Sequence, residues 1–366
     1  MSNSGAEIKV IGVGGGGGNA VSYMSNTDLN GVEFCILNTD KQAISEIKNI
    51  EQKHSLGGEL TKGLGAGADP SIGRKAAESD IDLISEIVEG SNMVFITAGM
   101  GGGTGTGAAP VVAKCAKEKG ILTIAVVTTP FSFEGKKRLG IAEEGLNELR
   151  DNVDSIIVIP NENLLQCLGA NTKLTDAFNE ANDVLFKAVK GVSELITKPG
   201  LINIDFADIR TIMKGSGFSM MGIGSGTGAN RAKDATKKAL SSPLLDNLDI
   251  KGAKGLLVNV SASENMSLGD FQIIGDLIES YAGGDATTVI GTTIDPTLGD
   301  EIQVTVVATG LLEKENVDID SPISTADNST DIKSFFAENS TPANNPINNK
   351  KSQEKRGFKI PNWLKK

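Results

Sequence analysis

Histidine is almost missing from this chain. The one copy, His54, lies in a polar stretch. That leaves no room for a His-based catalytic triad or a His-rich metal site. Cysteine is scarce as well. Cys35, Cys115 and Cys167 are odd in number, widely spaced and set in apolar segments. They are predicted to be buried, reduced thiols, as in a cytoplasmic protein, and not a disulfide framework. Basic charge is in deficit, with a net charge of −11. A general nucleic-acid binder carries a basic face, so no nucleic-acid partner is expected. Long apolar runs are lacking too. Residues 121–127, ILTIAVV, are strand-sized, whereas a membrane helix needs roughly 20 apolar residues. The opening MSNSGAEIKV has no signal-peptide core. A soluble chain with no membrane span is expected.

What the sequence does have is glycine, 44 residues in 366, gathered in clusters. A chain of this length suggests two or three domains, because single cores seldom outgrow roughly 250–300 residues. Continuous apolar runs predict strands at 8–13, 32–37, 93–98, 121–127 and 156–159. Helical segments, such as 109–119 and 141–149, lie between them. Unbroken apolar runs suit strands covered on both faces. The alternation predicts a doubly wound α/β domain over residues 7–172. Leu174, Ala177, Phe178, Ala181, Val184, Leu185, Ala188, Val189, Val192, Leu195 and Ile196 then recur at spacings of three and four. They predict one long helix within 173–200, stopped by Pro199-Gly200. Residues 201–312 read as a smaller α/β domain, with strands at 255–260, 288–293 and 302–309 and helices at 231–240 and 269–280. Residues 313–355 read as a disordered linker, followed by the peptide 356–366.

Two glycine runs carry the chemistry. GVGGGGGNA (12–20) follows a strand and opens a helix. It contains Gly12-x-Gly14-x-x-Gly17, a weak dinucleotide fingerprint by itself. GMGGGTGTGAAP (99–110) sits in the same context, with Thr104 and Thr106 adding hydroxyls and Pro110 placed for the first turn of the following helix. Glycine lets backbone N–H groups approach a phosphate, and a helix N-terminus adds partial positive charge. Two such loops at strand ends of one sheet converge on one crevice and imply a di- or triphosphate. No P-loop motif occurs. An NAD(P)-dependent Rossmann enzyme is the alternative, with Asp40 as its ribose acid, but it gives GGGTGTG no role.

GGGTGTG resembles the signature of the tubulin/FtsZ family, the tubulin-like GTPases of bacterial cell division. The likeness extends through GVGGGGGNAV (12–21), NTD (38–40), TKGLGAGADP (61–70), PFSFEGKKR (130–138) and NIDFADIR (203–210). It implies a tubulin-like fold: a GTP-binding α/β domain, a long central helix and a smaller α/β domain. It implies GTP or GDP as ligand, held by Gly15, Gly16, Gly17, Gly18 and Asn19 and by Gly103, Thr104, Gly105, Thr106 and Gly107. Glu134 and Arg138 would sit at the ribose and nearby phosphates, and Asn161 would join them. Phe178 would stack on the base, with Asn182 or Asp183 reading guanine. Without the likeness, Phe178 reads as plain core packing and Glu134 and Arg138 as a solvated turn. Mg2+ would be held mainly by phosphates and water, because no dedicated protein metal site is apparent.

Asn203, Asp205 and Asp208 follow the long helix. Alone, Asp205 with Asp208 reads as a helix-capping pair. Position suggests more. Lys198 lies sixteen residues beyond Asn182, roughly 24 Å at 1.5 Å per residue. An acidic loop that far from the base cannot reach its own phosphates, so a catalytic role requires a neighbour stacked head to tail, which builds a filament. The resemblance implies the same: Asp208 and Asp205 position the attacking water and Asn203 helps orient it, at the division site on the inner face of the membrane. In the tail, Ile360, Trp363 and Leu364 share one helical face, with Phe358 just before and Pro361 between. KIPNWLKK resembles the family's C-terminal peptide, which docks on membrane-anchoring adaptors such as FtsA. It departs from the usual pattern at Lys359 and Trp363.

Overall fold

The computed structural model describes residues 6–27, 29–168, 172–245, 252–282 and 286–311. The strands are β1 (Ile8–Val13), β2 (Val32–Asn38), β3 (Gln52–Ser55), β4 (Met93–Gly99), β5 (Leu122–Thr129), β6 (Ser155–Pro160), β7 (Gly217–Gly226), β8 (Gly255–Ala262), β9 (Thr287–Ile294) and β10 (Ile302–Thr309). The helices are α1 (Gly14–Ser25), α2 (Lys41–Glu46), α3 (Gly58–Thr61), α4 (Pro70–Ser79), α5 (Ile81–Val88), α6 (Thr104–Glu118), α7 (Lys136–Asn152), α8 (Asn161–Cys167), α9 (Leu174–Thr197), α10 (Phe206–Met213), α11 (Arg231–Leu240) and α12 (Leu268–Tyr281).

Among the described residues, all ten strands join one sheet in the order β3-β2-β1-β4-β5-β6-β7-β10-β8-β9. Strands β1 to β6 are mutually parallel. Their apolar runs are buried on both faces: every residue of β5 is buried, as is nearly all of β4. Each large apolar side chain so buried stabilises the fold by about 1.5–3 kcal/mol. The strand order reverses at β1, which lies between β2 and β4. A crevice therefore opens beyond the carboxyl ends of β1 and β4.

The central helix α9 is 24 residues long, roughly 36 Å at 1.5 Å per residue. Its buried positions include Ala181, Leu185, Ala188, Val189 and Val192. They belong to a cluster that reaches Val10 and Phe95 on one side and Leu257 and Val307 on the other. The cluster thus ties α9 to β1 and β4 in the parallel half of the sheet and to β8 and β10 beyond it.

Three features depart from expectation. The helix after the second glycine run begins at Thr104, not 109, so Pro110 lies inside α6 and not in its first turn. Strand β7 is absent from the elements expected for 201–312, since GFSMMGIGSG has no continuous apolar run. Its glycines at 222, 224 and 226 all face α11, where a methyl group would stand 1.9 Å from the Ala239 carbonyl oxygen, 2.2 Å from that of Ala235 and 2.3 Å from that of Arg231. A period of two on the strand meets a period of four on the helix, and only glycine lets the two backbones approach so closely. The short edge strand β3 was also missed, being polar and only four residues long.

Cys35 and Cys115 are buried free thiols, and burial pushes the Cys35 thiol up to about 12. The Cys167 side chain and the linker and tail expected at 313–366 lie outside the described residues.

Candidate nucleotide site

The first glycine run leaves β1 and forms the first turn of α1. The second leaves β4 and forms the first turn of α6. The strands are in register, with Val13 opposite Ala98, so the two loops emerge side by side. They interlock through their backbones. A methyl group on Gly14 would stand 2.7 Å from the Gly105 nitrogen, and one on Gly16 would stand 3.1 Å from the Gly99 Cα. Gly14 also needs a left-handed backbone, with φ of 75°. Neither α1 nor α6 has a side-chain cap on its N-terminus. Two helix N-termini with backbone N–H groups left over, meeting in one crevice, make an anion cradle.

The glycines divide into two kinds. Gly15, Gly16 and Asn19 are exposed, and nothing lies within 4 Å of a β-carbon placed on Gly15 or Gly102. These form the open floor. Gly17, Gly18, Gly103, Gly105 and Gly107 are buried and allow close packing. A methyl on Gly17 would strike the Thr97 carbonyl at 2.3 Å, and one on Gly107 the Pro70 carbonyl at 2.0 Å. Gly107 also spends its N–H on the Gly103 carbonyl. The Thr106 hydroxyl is turned inward. The side chain is 2% exposed, and its oxygen accepts the Gly101 N–H at 2.9 Å. It fixes the loop, whereas the expectation from the sequence was a hydroxyl offered to phosphate. Thr104 is half-buried, with its Oγ 2.6 Å from that of Thr39. Thr39 belongs to the NTD motif and Gly102 to the GGGTGTG run.

The base and ribose candidates gather on the same side. Gly101 abuts Pro130 and the Arg138 carbonyl. Phe131, next to Pro130, meets Phe178 edge to face with centroids 5.5 Å apart. Phe178 is 42% exposed, so it is not the core residue that its apolar helix suggests. Glu134 accepts the Phe131 N–H at 2.9 Å and pairs with Arg138, so the two charges form a built corner and not a loose turn. Asn161 follows β6, whose Pro160 is in register with Thr129. It is 5% exposed, and its Oδ1 has no hydrogen-bond partner among the described residues. A buried acceptor without a donor costs about 1–3 kcal/mol, so a bound hydroxyl would relieve it. Asn182 makes no side-chain hydrogen bond among the described residues, whereas Asp183 accepts from Tyr23 and pairs with Lys187.

Asp40 answers the dinucleotide alternative. Its carboxylate caps α2, accepting the N–H groups of Gln42 and Ala43.

The residues of the acidic loop lie elsewhere. Asn203, Asp205 and Asp208 are exposed at the start of α10. Asp205 occupies the cap position but makes no side-chain capping bond, which overturns the capping reading. Asn203 accepts the Gly200 N–H at 2.8 Å, and Ile202 is strapped to Thr292 of β9. Arg210, also on α10, donates to the Gly120 carbonyl, just before β5 begins. Pro130 and Gly101 lie at the opposite end of that strand. Eight residues of β5 separate the two ends by roughly 25 Å. Like the length of α9, this puts Asn203, Asp205 and Asp208 far from the glycine loops of their own chain. The tail residues Phe358, Ile360, Pro361, Trp363 and Leu364 fall outside the described residues.

The chain is similar to known proteins in sequence and fold. Residues 7–169 match the GTPase domain of the Tubulin/FtsZ family, and residues 217–312 match the C-terminal domain of the FtsZ family. The cell division protein FtsZ of Coxiella burnetii is 57% identical over 306 residues, covering 84% of this chain and 79% of that protein. Its counterpart in Pseudomonas aeruginosa is 52% identical over 340 residues, covering 92% and 84%. Among solved structures, an FtsZ dimer from M. jannaschii is 44% identical, with a TM-score of 0.80 over 84% of this chain and 89% of that one. CetZ2 from Haloferax volcanii, solved as a GTPγS-bound protofilament, shares the fold at 18% identity and a TM-score of 0.70. With both domain matches in chain order and more than half of the aligned residues identical to a curated relative, the chain belongs to the FtsZ family of tubulin-like GTPases.

Proposed function

We propose that this chain assembles head to tail into filaments for cell division and hydrolyses GTP where the acidic loop of one subunit meets the glycine loops of the next. The observation that carries this reading is the separation of the two halves of the site. The phosphate cradle lies at one end of α9, and Asn203, Asp205 and Asp208 lie past the other. Exposed apolar side chains mark both ends. Leu64, 84% exposed, and Phe133, 60% exposed, flank the cradle, and Leu201, 66% exposed, flanks the acidic loop. A contact between unlike ends repeats without closing.

In this reading the phosphates rest on the open amides of Gly15, Gly16 and Gly102 and at the N-termini of α1 and α6. Arg138 and Glu134 sit beside the phosphates and ribose, and Asn161 accepts a ribose hydroxyl. Phe178 stacks on the base, with Asn182 and Asp183 at its edge. The carboxylates of Asp208 and Asp205 accept hydrogen bonds from the attacking water and orient it, with Asn203 beside them. Phosphoryl transfer depends mainly on positioning and charge stabilisation, so supplying the water-positioning group from a neighbour couples hydrolysis to assembly. Mg2+, held by phosphates and water, would neutralise the developing charge.

The working units are residues 7–172 for nucleotide binding, 173–200 for the connecting helix and 201–312 for the part that activates the neighbour. Residues 313–355 serve as a linker. Residues 356–366 dock, through Phe358, Ile360, Pro361, Trp363 and Leu364, on a membrane-anchoring adaptor such as FtsA. The filament therefore forms in the cytoplasm, at the division site on the inner face of the membrane. Sedimentation tests assembly directly: polymer should pellet with GTP and not with GDP, and no pellet with GTP would refute the proposal. Deleting 356–366 should remove adaptor binding and leave GTPase activity intact.

A further inference from the structure

Tyr23 and Lys187 have no role in the assignments above, yet both end on Asp183. The Tyr23 hydroxyl donates to Asp183 Oδ1 at 3.0 Å, and the Lys187 ammonium stands 2.5 Å from Oδ2. Both carboxylate oxygens are thus held, and the Asp183 side chain is only 23% exposed. The two partners come from different elements. Tyr23 lies on α1 and Lys187 on α9, one turn past Asp183. Tyr23 is itself fixed, its ring meeting Phe186 edge to face with centroids 6.2 Å apart. Burial and the nearby Asp183 charge push the Tyr23 hydroxyl above the usual phenol range, which keeps it a donor. Asn19 lies four residues before Tyr23, on the same face of α1 and one turn nearer the glycine loop. Asp183 therefore stands on the side of α9 that faces the helix carrying the first phosphate loop, five residues past Phe178.

A carboxylate only accepts hydrogen bonds, and each oxygen has more than one lone pair. Guanine offers two adjacent donors, N1–H and the 2-amino group. Hypoxanthine keeps N1–H but lacks the amino group. We propose that Tyr23 and Lys187 are positioning residues that hold the Asp183 carboxylate as the acceptor of guanine's N1–H and 2-amino group, and so set the preference for guanine over hypoxanthine. This rests on the reading of Asp183 as a base-reading residue. A site built to hydrogen-bond a group rejects the analogue lacking it only while its own polar atoms keep their geometry.

The test compares the affinities of the full chain for GDP and IDP by calorimetry. The variants are Asp183→Asn, Tyr23→Phe, Lys187→Met and Lys187→Arg, with nucleotide-free melting to confirm that each folds. Tyr23→Phe keeps the ring packed on Phe186, so its effect reports the lost hydroxyl. The GDP/IDP affinity ratio should collapse in Asp183→Asn, fall at least fivefold in Tyr23→Phe and Lys187→Met, and recover in Lys187→Arg. If the ratio collapses in Asp183→Asn but is unchanged in Tyr23→Phe and Lys187→Met, the positioning role is wrong and the base-reading role stands. If Asp183→Asn leaves the ratio unchanged, the base-reading role itself is wrong, and the proposal with it.

Discussion

The β-carbon of any side chain at Gly105 would stand 2.7 Å from the carbonyl oxygen of Gly99, across the turn that joins β4 to α6. Gly105 also backs onto Gly14 of the other loop, so the two glycine runs form a single packed unit. Gly105→Ala must push that unit apart. GDP affinity should fall more than tenfold by calorimetry. Gly15→Ala, at a position with open space around the β-carbon, should fold with unchanged melting temperature.

Thr106 supplies the acceptor for the Gly101 N–H at a backbone with φ of 92°. Thr106→Val keeps the shape and removes the acceptor, leaving that buried N–H unpaired. A loss of about 1–3 kcal/mol in urea-induced unfolding is expected.

Phe178 combines exposure with a fixed orientation against Phe131. Phe178→Ala should weaken GDP binding by about 1–3 kcal/mol, roughly 5- to 150-fold. More than half of the side chain is buried, in part against Phe131, so the melting temperature of the nucleotide-free protein should also fall, and comparing the two losses separates packing from base stacking.

Arg231 joins β7's partner helix α11 to two other segments. It is 8% exposed and bonds Asn265, Asp270 and Asp300. Burial alone would push the Asp270 carboxyl up, but the Arg231 guanidinium and the Ser267 donors outweigh it and hold the group below its ordinary value. A carboxylate depressed in the folded state contributes stability above its unfolded pKa, and that stability is lost as pH falls through the folded pKa. Melting temperature should therefore drop on acidification below the ordinary carboxylate range. Asp270→Asn should flatten that part of the profile, and Arg231→Ala should cost about 1–3 kcal/mol at neutral pH.

Much of this was legible in the sequence, for identifiable reasons. Strands β1, β2, β4, β5 and β6 are covered on both faces, so their apolar runs stand out, and α9 announces itself by its spacing. β10 and α11 fall at the expected residues, 302–309 and 231–240. Strand β7 was hidden because its inward positions are glycines shaped by a helix that sequence cannot place beside them. The same blindness affected Thr106, Phe178 and Asp205. A threonine reads alike whether its hydroxyl faces ligand or backbone, and an aromatic on an apolar helix reads as core. An acid before a helix reads as a cap until its hydrogen bonds are seen. The contact of Asp183 with Tyr23 needed the packing of α1 on α9, whereas Lys187 stands four residues along the same helix, a spacing the sequence does show.

The central claim is that one chain holds only half of the GTPase site. The most direct measurement is GTP turnover per subunit as protein concentration is varied, for the unaltered chain and for Asp208→Ala. Turnover per subunit should be near zero below a threshold concentration and rise above it as polymer forms, while Asp208→Ala forms polymer that hydrolyses at least tenfold more slowly. Turnover that stays constant to the lowest concentrations, or Asp208→Ala polymer that hydrolyses at the normal rate, would contradict it.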